Sequence, residues 1–378
     1  MRDVVIAGYA RSPFHPAGKG ALARTRPDDL AAAVVRALIE RSGIDAAKIE
    51  DLVLGCAFPE GEQGLNVARL VGLLADLPLS VGGMTVNRFC GSSMSAVHYA
   101  AGQIQLGAGD AFVCGGVEAM SRVPMMGFNP LPNPALAQRS AAYISMGDTA
   151  ENVARQYGIA REAQEAFALA SQRSAAAAQA AGMFDAEIVP IATKAGIVDK
   201  DGTLRPDTTA EALAALKPAF NAAGSVTAGT SSPLTDGASA VLVVAEDFAR
   251  AAGLPMLARI KAVAISGCAP EIMGIGPVAA SRKALARAGI TAADLDVIEL
   301  NEAFASQALA CIAELGLNPA RINLDGGAIA LGHPLGATGA RITGKAAALL
   351  QRERGRYALA TQCIGGGQGI ATVLEAVR

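Results

Sequence analysis

Short apolar runs alternate along the first third of the chain with segments in which apolar residues recur at helical spacing. The runs predict buried strands, and the periodic segments predict helices. One helix is expected to open at Pro27, and Gly43 is expected to stop it. Strands alternating with helices in this way favour an α/β fold. The strands predicted in this part of the chain are residues 4–9, 51–56, 81–86 and 111–115.

The alternation breaks between residues 121 and 237. Prolines and apolar side chains such as Met125 predict a loop that packs against the core rather than a flexible linker. Helices are predicted at residues 149–157 and 161–181, and the alternation resumes with a strand at residues 238–245. We expect an inserted lid domain here, because loops above an α/β core often carry substrate contacts.

One helix–strand unit of the first half returns in the second half. Residues 37–54 and 283–300 each contain a helix, a glycine stop, a short polar link and a strand, with Gly43 matching Gly289. Such self-similarity predicts two structurally similar halves. We therefore expect an N-terminal half, an inserted loop domain and a C-terminal half. Their predicted bounds are residues 1–120 with 238–256, residues 121–237, and residues 257–378.

Composition narrows the range of functions. Hydrophobic residues make up 52% of the 378 residues and charged residues 17%, which is typical of a well-buried globular protein. The net charge of −2 offers no electrostatic basis for binding nucleic acid or an anionic membrane. The six cysteines form no C-x-x-C pair, so we expect reduced thiols, a cytoplasmic location and no metal site. We expect neither membrane insertion nor a leader peptide, since apolar runs are short and a strand follows residue 3 directly.

The helix predicted after the strand at residues 81–86 begins near Cys90. A cysteine at a helix start lies beside unpaired backbone N–H groups, which favour the thiolate. Gly91, Ser92 and Ser93 carry little bulk, so a substrate carbonyl has room to approach the sulfur. The alternative is a buried structural cysteine, and a lone cysteine is more often of that kind.

Three residues of the second half lie at strand ends or helix starts, where α/β proteins place their sites. Asn301 ends a predicted strand and falls opposite Gly55 of the repeat. His333 lies in a glycine-rich loop before a helix predicted at residues 340–350, and Cys363 follows a predicted strand. The glycines around these residues do not form a nucleotide-binding signature. A lone histidine in such a loop is more often a hydrogen-bonded structural residue.

Taken together, these segments resemble the four signatures of the thiolase family, and the resemblance runs in order from the first strand to the last. It implies an α/β fold with a five-layered α-β-α-β-α core made of two similar halves, and an inserted loop domain over the substrate. The four signature segments are residues 86–92, 301–304, 332–336 and 363–367, and residues 145–153 and 226–232 are similar to further family segments.

The resemblance assigns the chemistry residue by residue. It implies that Cys90 is the acylated nucleophile, His333 its activating partner and Cys363 the acid/base. Asn301 would hold a water that binds an enolate oxygen together with His333. The backbone N–H groups of Cys90 and Gly365 would form a second oxyanion hole. The residues implied to contact coenzyme A are Ser232, Phe220, Met146 and Phe304.

These parts imply cleavage of a 3-ketoacyl-CoA by coenzyme A in fatty-acid breakdown, through an acyl group on Cys90. A thiolate attacks the ketone, preset donors receive the enolate, and a second thiol protonates its carbon. Coenzyme A is then a co-substrate beside the acyl-CoA, with no permanently bound cofactor and no metal. The family also implies a homodimer or homotetramer.

A biosynthetic acetoacetyl-CoA thiolase is the main alternative. Members that form acetoacetyl-CoA usually carry His where Ser145 stands, and the segment around Ser232 is more similar to degradative members. A decarboxylating ketoacyl synthase would have a second histidine in place of Cys363. An acyl-CoA- or lipid-binding relative without catalysis would not need the complete set of site residues. For the degradative function we expect flexible lid side chains to accept an acyl tail, namely Met125, Met126, Phe128, Leu131 and Met146.

Overall fold

The computed structural model describes residues 2–377, and its elements follow the predicted alternation. The strands are β1 (Val4–Arg11), β2 (His15–Pro16), β3 (Asp51–Gly55), β4 (Gly82–Val86), β5 (Ala111–Ala119), β6 (Ile191–Thr193), β7 (Gly196–Val198), β8 (Thr235–Ala245), β9 (Ala258–Gly267), β10 (Val297–Leu300), β11 (Tyr357–Ile364) and β12 (Gln368–Glu375). The α-helices are α1 (Pro27–Ser42), α2 (Val67–Leu74), α3 (Ser92–Leu106), α4 (Pro134–Arg139), α5 (Met146–Gln156), α6 (Arg161–Ala180), α7 (Ala210–Ala214), α8 (Glu246–Ala252), α9 (Gly276–Ala288), α10 (Ala305–Leu315), α11 (Ala328–Leu331) and α12 (Leu335–Arg352).

The internal repeat is present in the pairing of the strands. In the first half β3 runs parallel to β5, and β5, β8 and β1 follow as antiparallel neighbours. In the second half β10 runs parallel to β11, and β11, β12 and β9 follow in the same antiparallel sense. Gly43 and Gly289 end the matching helices α1 and α9 in the same left-handed conformation, with φ of 72° and 70°. The predicted two-fold repetition of a β/α unit is therefore confirmed.

The alternation of side chains along each strand explains the layers. Val5 and Ala7 of β1 contribute to a core shared with α1 and α2, whereas Val4 and Ile6 point into a second core shared with α3 and α12. A third core lies between the second half-sheet and helices α9 and α10. The order is thus helices, sheet, central helices, sheet and helices, which confirms the predicted five-layered α-β-α-β-α core. The half-sheets join edge to edge where β1 pairs with β9.

The chain leaves the first half-sheet after β5 and returns to it with β8, which pairs between β5 and β1. Helices α4 to α7 and the β6–β7 hairpin lie in the intervening segment. The three-part division proposed for the chain stays a prediction, because the folded chain by itself sets no boundary at residues 121 and 237. Within residues 2–377, no helix is long and apolar enough to cross a membrane.

Three predicted element starts differ from the structure by three residues or more. Helix α5 begins at Met146 rather than at residue 149, because the side chain of Ser145 accepts a hydrogen bond from the backbone N–H of Asp148 and caps the helix there. Strand β8 begins at Thr235 rather than at residue 238, because its first residues pair with β2. Helix α12 begins at Leu335 rather than at residue 340, although Gly336 and Gly339 lie in its first turns. Glycine is a poor helix former, and close packing against the sheet and α3 overrides that propensity here.

Candidate active site

Two central helices bring the sequence-predicted nucleophile and base together. Cys90 lies two residues before α3, and His333 lies two residues before α12. A Cβ at Gly339 of α12 would collide with the backbone nitrogen of Met94 in α3, so the two helix starts approach as closely as a glycine permits. The residue preceding the nucleophile, Phe89, has a positive φ of 43°, which marks a tight turn in front of Cys90.

One cavity of about 520 Å³ joins the three residues assigned to the chemistry: Cys90, His333 and Cys363 all line it. Asn301 does not itself line this cavity, but its Nδ2 lies 3.5 Å from Nε2 of His333, which does. Gly365 lines the adjoining cavity together with Cys90. The fold therefore brings together residues that are separated by up to 275 positions in the chain.

The hydrogen bonds of His333 determine which of its two ring nitrogens is free to accept a proton. Its Nδ1 lies 2.6 Å from the hydroxyl of Thr338, and that hydroxyl donates its own hydrogen to the carbonyl of Pro334. Nδ1 must therefore carry the imidazole proton, which leaves Nε2 as an acceptor. Burial, together with the positive charge of Arg341, lowers the pKa of His333 to about 3. The imidazole is neutral at physiological pH and able to accept a proton at Nε2.

Cys90 is held mainly as a thiol in the free protein. Burial among apolar neighbours raises the pKa of its thiol to about 12, although the backbone N–H groups of Gly365 and of Cys90 itself oppose this rise. Desolvation therefore outweighs the helix-start effect expected from the sequence. These two N–H groups lower the pKa of the sulfur, and they are the pair that the thiolase resemblance assigns to an oxyanion hole. The sulfur is thus poised to lose its proton only as it attacks.

Cys363 lies near the end of β11 and is almost fully buried. Burial and the neighbouring Cys90 raise the pKa of its thiol well above the usual value. Two adjacent sulfurs resist carrying negative charge at the same time, so Cys363 keeps its proton while Cys90 reacts. The carboxamide of Gln362 donates to the backbone carbonyl of Cys90 and ties β11 to the nucleophile turn.

The residues predicted to contact coenzyme A line the same 520 Å³ cavity. Phe220 and Phe304 form an edge-to-face pair with ring centroids 5.9 Å apart. Ser232 donates through its backbone N–H and its hydroxyl to the carbonyl of Ala303, at 3.0 and 3.1 Å. The wall of this cavity therefore connects the inserted segment to the strand end that carries Asn301. The four predicted contact residues in its lining are Ser232, Phe220, Met146 and Phe304.

A second cavity of about 470 Å³ adjoins the first at Cys90. Its lining is mostly apolar, and Met125, Met126 and Met146 belong to it as expected for an acyl-tail site. Phe128 and Leu131 do not line either cavity, contrary to the sequence-based expectation. Leu131 is 83% exposed, and Phe128 lies against the glycine turn at Gly61 instead.

Family comparisons agree with this constellation. Residues 4–247 match the thiolase N-terminal domain, and residues 254–376 match the thiolase C-terminal domain. The chain belongs to the thiolase family.

Several relatives that match this thiolase over their full length share one name, 3-ketoacyl-CoA thiolase. A 3-ketoacyl-CoA thiolase of Bacillus subtilis (strain 168) is 47% identical over 389 aligned residues, which cover 99% of this chain and 100% of the relative. A 3-ketoacyl-CoA thiolase of Pseudoalteromonas translucida (strain TAC 125) is 50% identical, and the match covers 100% of both chains. The crystal structure of human mitochondrial 3-ketoacyl-CoA thiolase has a TM-score of 0.92 at 36% identity, covering 100% of this chain and 99% of that one.

Sequence reasoning missed several residues that support the site of this thiolase. Thr338 orients His333, Gln362 binds the nucleophile turn, and the buried Glu118 accepts hydrogen bonds from the backbone N–H groups of Ala57 and Gly336 at 2.8 and 2.9 Å. Thr338 lies one turn beyond the histidine motif, so helical spacing could have indicated it. Glu118 carried no such signal, because its partners come from distant segments.

The described residues also bear on metal binding. Within residues 2–377 no group of three or more His, Cys, Asp or Glu side chains is arranged to hold a metal ion. The chemistry available at Cys90 is nucleophilic and acid–base chemistry by side chains and backbone donors. Coenzyme A as a co-substrate is compatible with the cavity, whose lining includes the cationic side chain of Arg205.

Proposed function

We propose that this thiolase cleaves 3-ketoacyl-CoA with coenzyme A, giving acetyl-CoA and an acyl-CoA shortened by two carbons. The observation that carries the proposal is the meeting of Cys90, His333 and Cys363 in one cavity. The names of its full-length relatives support the same reaction. Two thiols and one neutral imidazole are the groups that breaking the C2–C3 bond of a 3-ketothioester requires.

In the first half-reaction Nε2 of His333 takes the proton of Cys90 while the sulfur attacks C3 of the substrate. The N–H groups of Cys90 and Gly365 stabilise the oxygen at C3 as it becomes negative. The electrons of the C2–C3 bond then form the enolate of acetyl-CoA, which Asn301 and His333 stabilise. Cys363 gives its proton to C2, acetyl-CoA leaves, and the acyl group remains on Cys90.

The second half-reaction returns the enzyme to its starting state. The thiolate of Cys363 takes the thiol proton of an incoming coenzyme A, whose sulfur attacks the acyl group on Cys90. The Cys90 thiolate leaves and recovers the proton held by His333. Every proton is thus returned to its starting group, and no redox partner is required.

The 470 Å³ cavity supports a substrate longer than acetoacetyl-CoA. It extends from Cys90 into the lid and is lined by flexible apolar side chains such as Met125 and Met126, which suit an acyl tail. Ser145 caps helix α5 and lines the 520 Å³ cavity that contains the predicted coenzyme A contacts. Its short side chain leaves space beside the reacting carbon. Each methylene buried in the tail site contributes up to about 0.8 kcal/mol. A role in fatty-acid breakdown in the cytoplasm follows as part of the proposal.

A chain-length series tests this function. Thiolysis by the purified protein, followed at the enolate absorbance, should show kcat/KM rising from acetoacetyl-CoA to a medium-chain 3-ketoacyl-CoA. An Ile144→Phe variant narrows the tail cavity and should lower the medium-chain value while sparing acetoacetyl-CoA. Leu131→Phe is the matched control, since Leu131 lies outside both cavities. If acetoacetyl-CoA is the best substrate of the wild type, the biosynthetic function replaces this proposal.

A homodimer is part of the proposed function. Strand β4 ends the order of the sheet and leaves one edge without a neighbouring strand. Leu65 is 89% exposed next to it, since Asn66 bonds to Gly83 and Thr85 of β4. An unpaired edge flanked by apolar side chains favours pairing with a second copy. Light scattering should show a dimer for the wild type and a shift to monomer for Leu65→Asp.

The control for that measurement is Leu106→Asp. Leu106 is 81% exposed and is the last residue of α3 rather than part of the segment that is hydrogen-bonded to β4, so this charge should leave the dimer intact. A monomeric wild type, or equal dissociation by both variants, would rule out this interface. A tetramer in the wild type would place a second contact elsewhere on the surface.

A further inference from the structure

A buried ion pair, Glu299 with Arg341, lies close to Asn301 and His333, the residues proposed to stabilise the enolate. Asn301 follows β10, and Glu299 is the residue of that strand that faces the same way, because strand side chains alternate. Glu299 accepts a hydrogen bond from Nη1 of Arg341 at 3.0 Å. Arg341 belongs to α12, the helix that His333 precedes. The same strand and the same helix are therefore joined twice, once by Asn301 with His333 and once by Glu299 with Arg341.

The contribution of this pair to stability does not by itself explain why two charged residues are buried here. Arg341 and Glu299 are 2% and 0% exposed, and Nε and Nη2 of Arg341 and Oε1 of Glu299 have no hydrogen-bond partner among residues 2–377. A buried pair that is only partly satisfied is often no more stabilising than apolar residues of similar size. The matching strand of the other half carries Val53 at the position of Glu299, and Val53 contributes to the central core. The fold therefore does not need a charged residue at this place.

The pair also lies outside the substrate space. Neither Glu299 nor Arg341 lines the cavity that contains Cys90, His333 and Cys363, nor the cavity beside it. Any effect on the reaction must act through the residues above the pair. His333 is held independently by Thr338 at Nδ1 and by the hydroxyl of Thr235 at its backbone N–H. Asn301 is fixed through its backbone N–H, which donates to the carbonyl of Thr361 in β11 at 3.0 Å, so the distance of its side chain from His333 depends on how the β10–β11 pair lies against α12.

We propose that Glu299 and Arg341 are positioning residues that set the separation of Asn301 from His333 and so act on the carbon–carbon bond step. This inference rests on the proposed function. The enolate forms only in that step, whereas transfer of an acyl group between Cys90 and a thiol forms no enolate. Comparing the rates of these two reactions in one variant therefore distinguishes a misplaced Asn301 from general damage to the fold.

Two variants test the proposal on the full-length enzyme. Glu299→Met removes the acceptor, and Arg341→Lys keeps the buried charges paired but shortens and narrows the donor, so it preserves folding. Thiolysis is measured with a 3-ketoacyl-CoA, and acyl exchange with acetyl-CoA and 3′-dephospho-CoA. Both variants should lower kcat for thiolysis by about 10- to 100-fold, as misplacement of a group by about 1 Å does. Acyl exchange and the KM for coenzyme A should stay at wild-type levels.

Lys345→Met is the matched control. Lys345 lies one turn further along α12 and is equally buried, but it pairs with Glu187 at 2.9 Å and with Asp325 at 2.7 Å rather than with β10. This variant should lower the melting temperature without changing the ratio of thiolysis to acyl exchange. The positioning role is overturned if thiolysis and exchange fall in parallel, if neither falls, or if the control shows the same split. Absence of thiolysis in the wild type would instead overturn the proposed function, and the positioning role with it.

Discussion

The two halves of the molecule have the same backbone plan but carry different side chains where their strands face the central helices. At matching positions facing the central helices, the first half carries Val53 and Gly55, whereas the second half carries Glu299 and Asn301. Helix α3 buries mainly apolar or small side chains, while α12 also buries Arg341 and Lys345. One repeat therefore surrounds the proposed nucleophile mainly with apolar and small side chains, and the other contains the polar groups that the proposed function assigns to proton transfer and to the enolate.

Glycine explains how the apolar half places its nucleophile. A Cβ at Gly55 would collide with the backbone nitrogen of Ser93, and a Cβ at Gly116 would collide with the carbonyl of Gly336. The starts of α3 and α12 can therefore press against the strand ends, which brings Cys90 next to His333. The difference between the halves shows that close backbone approach and polar side chains are divided between two copies of one unit.

The largest expected effect comes from removing the acid of the polar half. Cys363→Ala should lower thiolysis by about 10²–10⁴-fold, because proton transfer to C2 and from coenzyme A is lost. Cys90 should still become acylated slowly, and mass spectrometry of the protein after incubation with substrate detects this adduct. Cys114→Ala removes a buried thiol from β5 of the apolar half and should leave turnover nearly unchanged. Near-normal thiolysis by the Cys363 variant would contradict the assignment.

A second test breaks the close approach in the apolar half. Gly55→Ala forces a methyl group against backbone atoms of Ser93 and should destabilise the protein by about 1–3 kcal/mol. It should also displace Cys90 and lower turnover further than the loss of folded protein explains. Gly102 lies in α3, the helix that contains Ser93, and a Cβ added there would meet no described heavy atom within 4 Å outside the neighbouring backbone. Gly102→Ala should therefore stabilise the protein by about 0.5–1 kcal/mol. Equal melting temperatures for both variants would exclude the steric explanation.

The charged interior of the polar half should be visible in the pH dependence of stability. Burial raises the pKa of Glu299 from 4.5 to about 7, although Arg341 opposes the rise. Between these two pH values the folded protein keeps a proton that the unfolded chain has lost, so this group reduces stability as pH rises. Glu299→Gln removes this titrating group and with it the loss of stability as pH rises. Its free energy of unfolding relative to wild type should increase by up to roughly 3 kcal/mol from pH 4.5 to pH 7.5.

Glu187 supplies a control of opposite sign for the same urea titrations. Burial raises the pKa of its carboxyl, but Arg11 and Lys345 outweigh burial and lower it below the usual value. Its charged form therefore stabilises the folded state, and this contribution is lost as pH falls through the lowered pKa. Glu187→Gln should lose stability relative to wild type as pH rises. Parallel pH curves for the two variants would contradict the assigned shifts.

The smallest effect concerns the order in which thiols react. Cys90 should be alkylated before Cys363, because it is half-buried and lines both cavities. Since burial raises the pKa of Cys90 to about 12, its labelling rate should rise with pH without a plateau. The expected slope is about tenfold per pH unit from pH 6 to 9. Peptide mapping after brief iodoacetamide treatment measures this order, with an acyl-CoA as protecting ligand.

Two other results would contradict this order of reactivity. First labelling at Cys56, Cys114, Cys268 or Cys311 would mean that Cys90 is not the reactive thiol. A labelling rate that levels off near pH 6.5 would indicate a preformed thiolate paired with a charged His333. That outcome would support the Cys90 thiolate expected from the helix-start position, and it would contradict a neutral His333.

Local patterns predicted most of the fold correctly. Apolar runs identified β1, β3, β4 and β5, and the repeat of glycine-stopped helices identified the two halves. Element starts were less accurate at β8 and α12, because pairing with β2 and packing of glycines depend on residues far away in the chain. Phe128 and Leu131 were wrongly placed at an acyl site, since apolar character alone does not say which loop side chain points inward.

The sequence by itself indicated which residues should carry the chemistry, because the segments that contain Cys90, Asn301, His333 and Cys363 resemble the signatures of the thiolase family. Only the tertiary structure decided their protonation. The pKa of Cys90 rises and that of His333 falls through desolvation by side chains from distant segments. The hydrogen bond between Arg341 and Glu299, on which the proposed positioning of Asn301 rests, is likewise a product of folding, because a strand and a helix must first be brought into contact.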